Sequence, residues 1–268
     1  MAHALFNSAL EDFHNDLGRI ERLIKLTESL KEFGDVNMPE HNLEGDLFNA
    51  ASQLREDVRK SSALFPVLSG TLLLYISGRF ENFTRMTFET LCDMYAGKCK
   101  KFDELPEKMQ SGLVYYTSLV MPNPKKFGFD SIQVSTFIKN MSNNMSAEKD
   151  LGDINSKCLS ITEANMGSAM LHDLFSRVSI TTLWQEIGKQ ATLKMYFETS
   201  VDADASTKAK KVLDDIMGIR NKIAHPNGES EFPDASAVLK NIEYLKILAS
   251  EIVNCCAVQI TSFKPIVK

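Results

Sequence analysis

Hydrophobic residues recur three or four positions apart along almost the whole chain, and no stretch of useful length alternates apolar with polar residues. That period lays an apolar stripe along a helix and cannot keep one face of a strand apolar, so the chain is expected to be all-α. Leu10, Phe13, Leu17, Ile20, Leu23, Leu26 and Leu30 mark a first amphipathic helix, with charged residues between them. A polar, Pro-containing break at about 34–42 precedes a second helix through Leu47, Ala51, Leu54 and Val58. The third, from about Val67 to Tyr95, is apolar around most of its circumference and carries Tyr75, Phe80, Phe83 and Phe88. Such a helix has to be surrounded by others.

Pro106 opens a short helix through Leu119, and MPNPKKFG reads as a loop from its Pro, Asn and Gly content. Residues 140–165, polar and rich in Asn and Ser, read as an extended connection. Helical spacing resumes at Met170, Leu171, Leu174, Phe175 and Val178, and again through Leu183, Trp184, Ile187, Leu193 and Phe197. One helix then runs from about Ala205 to Ala224, and a last one from Asp234 to about Phe263. The connector between them, PNGESEFP, is short enough to make them antiparallel neighbours. The expectation is a single all-helical domain over residues 1–268: an antiparallel bundle spanning 65–265, with residues 1–62 as an N-terminal helical extension.

Whole classes of chemistry lack their sequence marks. There is no G-x-G-x-x-G, G-x-x-x-x-G-K-S/T, H-E-x-x-H, G-x-S-x-G or EF-hand loop, so no dinucleotide, P-loop, zincin or hydrolase reading is supported, and no cofactor is expected. The five cysteines are scattered without a C-x-x-C pair and read as reduced structural thiols. The longest apolar stretch, Leu64 to Ile76, is broken by Pro66, Ser69 and Gly70, so no membrane association is expected. The first residues reach Glu11 and Asp12 without the features of a secretory signal, which places the protein in the cytoplasm. A net charge of −5 gives no general attraction for phosphate backbones, so any nucleic-acid contact has to use a local cluster such as Lys208, Lys210 and Lys211.

Among the five histidines no pair is spaced to bind a metal from one helix face, and no metal site is expected. His172 lies beside an apolar stripe and reads as a surface residue. His225 is different, because it ends the run IMGIRNKIAHPNG and stands immediately before Pro226. Proline disfavours helical geometry in the residue before it, so the helix should stop near Ala224 or His225 and leave the imidazole on its terminal turn. Imidazole is the side chain suited to proton transfer near neutral pH. Arg220 adds a planar guanidinium suited to phosphate oxygens, and Asn221 an amide able to orient a phosphate or a hydroxyl. These groups can handle a phosphodiester without a metal.

RNKIAHPNG resembles the R-N-x-x-x-H signature of the HEPN superfamily of helical ribonucleases and nucleotide-binding domains, and the chain is most similar to the RiboL-PSP-HEPN branch. LYISGRFENF in the third helix, the EANMGS segment and LFSRVSI add to the likeness, which covers roughly residues 65–260. The resemblance implies an HEPN-like bundle and a metal-independent endoribonuclease, in which motifs from two copies meet across a homodimer axis and RNA is cleaved through its own 2′-hydroxyl. It implies catalytic roles for Arg220, Asn221 and His225, with Glu81 holding Arg220 and Lys222 in support. Lys208, Lys210 and Lys211 would guide the RNA. A toxin, antiphage or stress effector under a cognate antitoxin or other regulator fits this picture. Members modified by a nucleotidyltransferase antitoxin carry Tyr two residues after the His, where this chain has Asn227. The alternative is a non-catalytic HEPN-like module that dimerises or binds a nucleotide or partner, with Arg220 paired to Asp214 or Asp215 and His225 serving as a helix cap.

Overall fold

The computed structural model describes residues 2–36, 45–146, 148–226 and 232–265. Among these residues there are eleven α-helices and no strand: α1 (Ala2–Asp35), α2 (Asp46–Lys60), α3 (Leu64–Ala96), α4 (Glu107–Val120), α5 (Ser131–Asn144), α6 (Ser156–Leu159), α7 (Ser168–Ser176), α8 (Leu183–Gly188), α9 (Ala191–Tyr196), α10 (Asp202–Ala224) and α11 (Ala235–Ser262). No single helix is long and apolar enough to cross a membrane among the described residues.

α3 is the axis. Its 33 residues span about 50 Å, and Leu73, Ile76, Phe80, Phe88, Leu91 and Cys92 are wholly buried along it. α1 and α11 cover one side, α10 lies along another, and α6 closes its C-terminal half. Ser77, buried in this apolar setting, donates its hydroxyl to the Leu73 carbonyl at 2.8 Å, whereas the buried hydroxyls of Thr84 and Thr87 further along the helix have no hydrogen-bond partner among the described residues.

The hydrophobic core does not divide at residue 62. Phe6, Phe13, Leu17 and Ile24 of α1 are buried in the same cluster as the α3 residues. Phe13 stacks on Phe83 with ring centroids 5.0 Å apart and 17° between planes, and lies tilted against Phe80 at 6.0 Å. Against α11, the His14 Nε2 lies 3.1 Å from the Lys246 carbonyl, and the Lys246 ammonium donates to Glu21 at 2.7 Å. α1 is therefore a structural wall of the bundle. The polar break after it falls largely on residues 37–44, outside the described residues, as do residues 227–231 of the connector before α11.

Four features depart from the sequence expectations, each for a local physical reason. α5 was not anticipated, although Asp130 and Gln133 form a reciprocal capping box at its start. Residues 140–165 are not simply an extended polar connection. α5 reaches into them, α6 lies within them, and Asn155, 2% exposed, is buried because its amide donates to the Phe137 carbonyl at 2.9 Å and to Thr117 Oγ1 at 3.2 Å. The helix expected from Leu183 to Phe197 breaks into α8 and α9 after Gly188. A Cβ on that glycine would sit 2.5 Å from the Asp202 carbonyl oxygen, so α8 ends where the first turn of α10 crosses it.

The fourth departure is that α10 and α11 do not pack along their lengths: α10 lies on α3 and α8, whereas α11 lies on α1, α3 and α8. A single buried hydrogen bond ties them, Tyr244 Oη donating to the Ala209 carbonyl at 2.6 Å. The five cysteines are free and buried, and desolvation raises Cys92 and Cys256 well above the ordinary thiol range, which leaves them poor nucleophiles.

Two outcomes follow. Phe13→Ala should destabilise the whole bundle by about 3–5 kcal/mol in a single cooperative transition, measured by denaturant unfolding; early loss of α1 alone would show that it is a detachable extension. Hydrogen bonds from Lys246 and Lys25 lower the Glu21 carboxyl from the ordinary 4.5 to about 2. A depressed carboxyl stabilises the fold above its unfolded value and ceases to do so as pH falls through the folded one. Glu21→Gln should therefore cost up to about 1 kcal/mol at neutral pH, and its melting temperature should converge on the wild type's as pH drops from about 4.5 to about 2.

Candidate functional site

The motif lies at the end of α10. The helix starts with Asp202 and Asp204 in its first turn, where carboxylates complement the positive end of the helix dipole. It ends at Ala224, because His225 adopts φ −130° and ψ 69° ahead of Pro226 while its own N–H still donates to the Asn221 carbonyl at 3.0 Å. His225 is exposed on this terminal turn. Asn221, four residues earlier, stands on the same face.

Packing at α3 sets where this end of α10 sits. A Cβ at Gly70 would lie 2.3 Å from Phe232 Cδ1 and 3.3 Å from Ile223 Cδ1, so only the absence of a side chain lets both seat against α3. Ile223 belongs to the last turn of α10, and Phe232 comes just before α11. The motif is thereby carried on a backbone fixed to the core.

A short segment, Asn165 to Ser168, braces the site from the other side. The Asn165 amide donates to Asn221 Oδ1. Met166 is buried, and its N–H reaches Glu81 Oε1 at 3.4 Å. Ser168 gives both its N–H and its hydroxyl to the Asp214 carboxylate, at 2.7 and 2.6 Å, while its carbonyl accepts from Trp184 Nε1 at 3.0 Å. Side chains of α3, α8 and α10 thus hold three of these four residues.

Arg220 is half-buried, and its Nη1 donates to Asn221 Oδ1 at 3.2 Å. It forms no ion pair with any described carboxylate: Asp214 faces Ser168, and Glu81 turns to the Met166 amide and not to Arg220. Because Asn221 Oδ1 accepts from both Arg220 and Asn165, its two amide N–H donors are the groups left for a substrate. Lys222 is exposed next to them.

The three lysines of the basic cluster separate. Lys208 pairs with Asp204 at 2.9 Å and reaches the Phe197 carbonyl, Lys211 is exposed, and Lys210 faces a cleft between α7, α8 and α10. Lys211 is about 13 Å of helix from Arg220, so none of the three reaches the motif directly. Asn227 lies outside the described residues. Among the described residues no three His, Cys, Asp or Glu side chains converge as metal ligands.

Sequence reasoning singled out EANMGS but not its partners. The pairing of Asn165 and Ser168 with Asn221, Asp214 and Trp184 carries no local signal, since the contacts that matter lie 46 residues apart for Ser168 and Asp214 and 56 for Asn165 and Asn221. Arg177, in LFSRVSI, is likewise structural: 9% exposed, it donates to the Leu159 and Ile161 carbonyls and to Asp173, and stacks over Tyr116 at 4.1 Å. If the brace holds the site, Asp214→Ala should cost about 1 kcal/mol and raise amide hydrogen exchange at 166–169 while α11 stays protected; unchanged exchange there would show that Asp214 restrains nothing.

Compared with known proteins, the chain matches the RiboL-PSP-HEPN family over residues 21–258. No curated protein and no solved structure matches it. The match takes in the second half of α1 and everything up to the final turns of α11, including the motif and its brace. The chain belongs to the RiboL-PSP-HEPN family.

Proposed function

We propose that this protein is a metal-independent endoribonuclease acting as a homodimer in the cytoplasm. One observation carries the reading: Arg220, Asn221 and His225 share the exposed end of a helix clamped to the core, and no carboxylate among the described residues pairs with the guanidinium. HEPN domains are often ribonucleases, and family membership gives that reading its context.

RNA carries its own nucleophile in the 2′-hydroxyl. An imidazole removes that proton, the 2′-oxygen attacks phosphorus, and the P–O5′ bond breaks as the leaving oxygen receives a proton, giving a 2′,3′-cyclic phosphate and a 5′-hydroxyl. Attack and departure lie on opposite sides of phosphorus, so the reaction calls for two proton-transfer groups, and the motif holds one imidazole. Two copies related by a two-fold axis supply both. Arg220 stabilises charge on the phosphorane, and the Asn221 N–H donors hold a phosphate oxygen. Glu81 supports the site through the Met166 amide, keeping Asn165 against Asn221. Such an enzyme requires restraint in its host, and a toxin or antiphage or stress effector with a cognate antitoxin or other regulator meets that requirement.

Purified protein incubated with total RNA in EDTA should cut it to products with 2′,3′-cyclic phosphate ends. His225→Ala should lose at least about a hundredfold in rate, and Arg220→Ala about 10²–10³-fold, with the oligomer intact by sedimentation. Cleavage by His225→Ala at the wild-type rate, or inactivity of both proteins, would overturn the proposal.

A further inference from the structure

We propose that the cleft between α7, α8 and α10 binds a backbone phosphate of the RNA strand, at a distance from the bond that is cut. The proposal rests on the reading of the protein as one that acts on RNA. The cleft encloses about 340 Å³ and is lined by Ser168, His172, Thr181, Trp184, Gln185 and Lys210. That is the lower end of the size range of ligand sites.

Charge makes it an anion site. Lys210 is half-buried, and no described residue forms an ion pair or hydrogen bond with it. The carboxylates around the cleft are all committed elsewhere: Asp214 to Ser168, Glu186 to Lys189 at 2.7 Å, and Asp173 to Arg177 at 2.6 Å. Nearby lysines are spent in the same manner, Lys194 of α9 on Asp202 and Lys208 of α10 on Asp204, each at 2.9 Å. No carboxylate among the described residues pairs with Lys210, which stands as a cation at a partly desolvated wall, where an anion is held more strongly than in open water. His172, Thr181 and Gln185 are exposed around it and supply hydrogen-bonding groups.

Position links the cleft to the motif. Lys210 and Asn221 are eleven residues apart on one helix, which places them about 20° apart around the axis and about 16 Å apart along it. Asp214 lies between them, but its carboxylate is held by Ser168. Ser168 is itself both a wall of the cleft and part of the brace behind Asn221. A strand rising 3.4 Å per nucleotide covers that span in about five nucleotides. RNA lying along this face of α10 would present one phosphate to the motif and another to Lys210, so the cleft would favour longer strands over short ones.

The test uses the full chain carrying His225→Ala, which should hold RNA without cutting it, and fluorescent oligoribonucleotides of about two and about ten nucleotides. Lys210→Gln should weaken binding of the longer strand roughly tenfold at low salt. It should also reduce the slope of log affinity against log salt by about 0.7, and leave the shorter strand unaffected. Lys211→Gln, exposed outside the cleft, should do less. Equal losses from the two substitutions, equal losses on both lengths, or no binding of RNA would overturn the proposal. RNA cleavage by the wild type together with normal strand binding by Lys210→Gln would remove this site and keep the nuclease. An inactive wild type whose longer strand is lost on Lys210→Gln would do the reverse.

Discussion

Covering α3 is the constraint on which the rest of the structure depends. A helix apolar around most of its circumference cannot stand in water, and each long element is placed by the side of α3 it shields. α10 is one of these covers. The end that carries the motif is therefore located by core packing, through Ile223 and Phe232 against Gly70. Side chains carried on a packed helix hold position better than side chains on a loop, which suits chemistry sensitive to fractions of an ångström.

What the sequence reveals and what it conceals divide by range. The stripes of α1, α3, α10 and α11 are visible because 3.6-residue periodicity is a local property. The end of α10 is visible for the same reason, since Pro226 acts on its immediate neighbour. Gly188 interrupts a helical pattern with no sign in the pattern itself, because the group that forbids a side chain there is the Asp202 carbonyl, reached only after folding. Asn155 sits in a segment that composition marks as solvated, yet its amide finds enough partners to be buried. α5 goes unread because it lacks a long apolar stripe; its one local mark is the capping-box spacing of Asp130 and Gln133.

The motif residues were legible while their supports were not. Arg220, Asn221 and His225 fall within six residues, whereas Asn165, Ser168 and Asp214 are brought together from distant parts of the chain. Two arginines show the difference in use. Arg177 spends its donors on two carbonyls and a carboxylate and is sealed beneath a tyrosine ring, so it fixes a fold. Among the described residues Arg220 meets only a neutral amide, and it stays within reach of solvent. In a chain with five more negative than positive charges, a guanidinium with no carboxylate partner among the described residues is a local exception to the field around it.

The seating of Ile223 and Phe232 on one glycine also separates two kinds of change. Both residues are held by α3, so Ile223 on one side and Phe232 on the other are fixed points of one frame. Adding residues between two points that are already pinned costs only about 0.6 kcal/mol per doubling of the length between them. A change in chain length between these points is therefore cheap, while the placement of the helix end is inherited from the core.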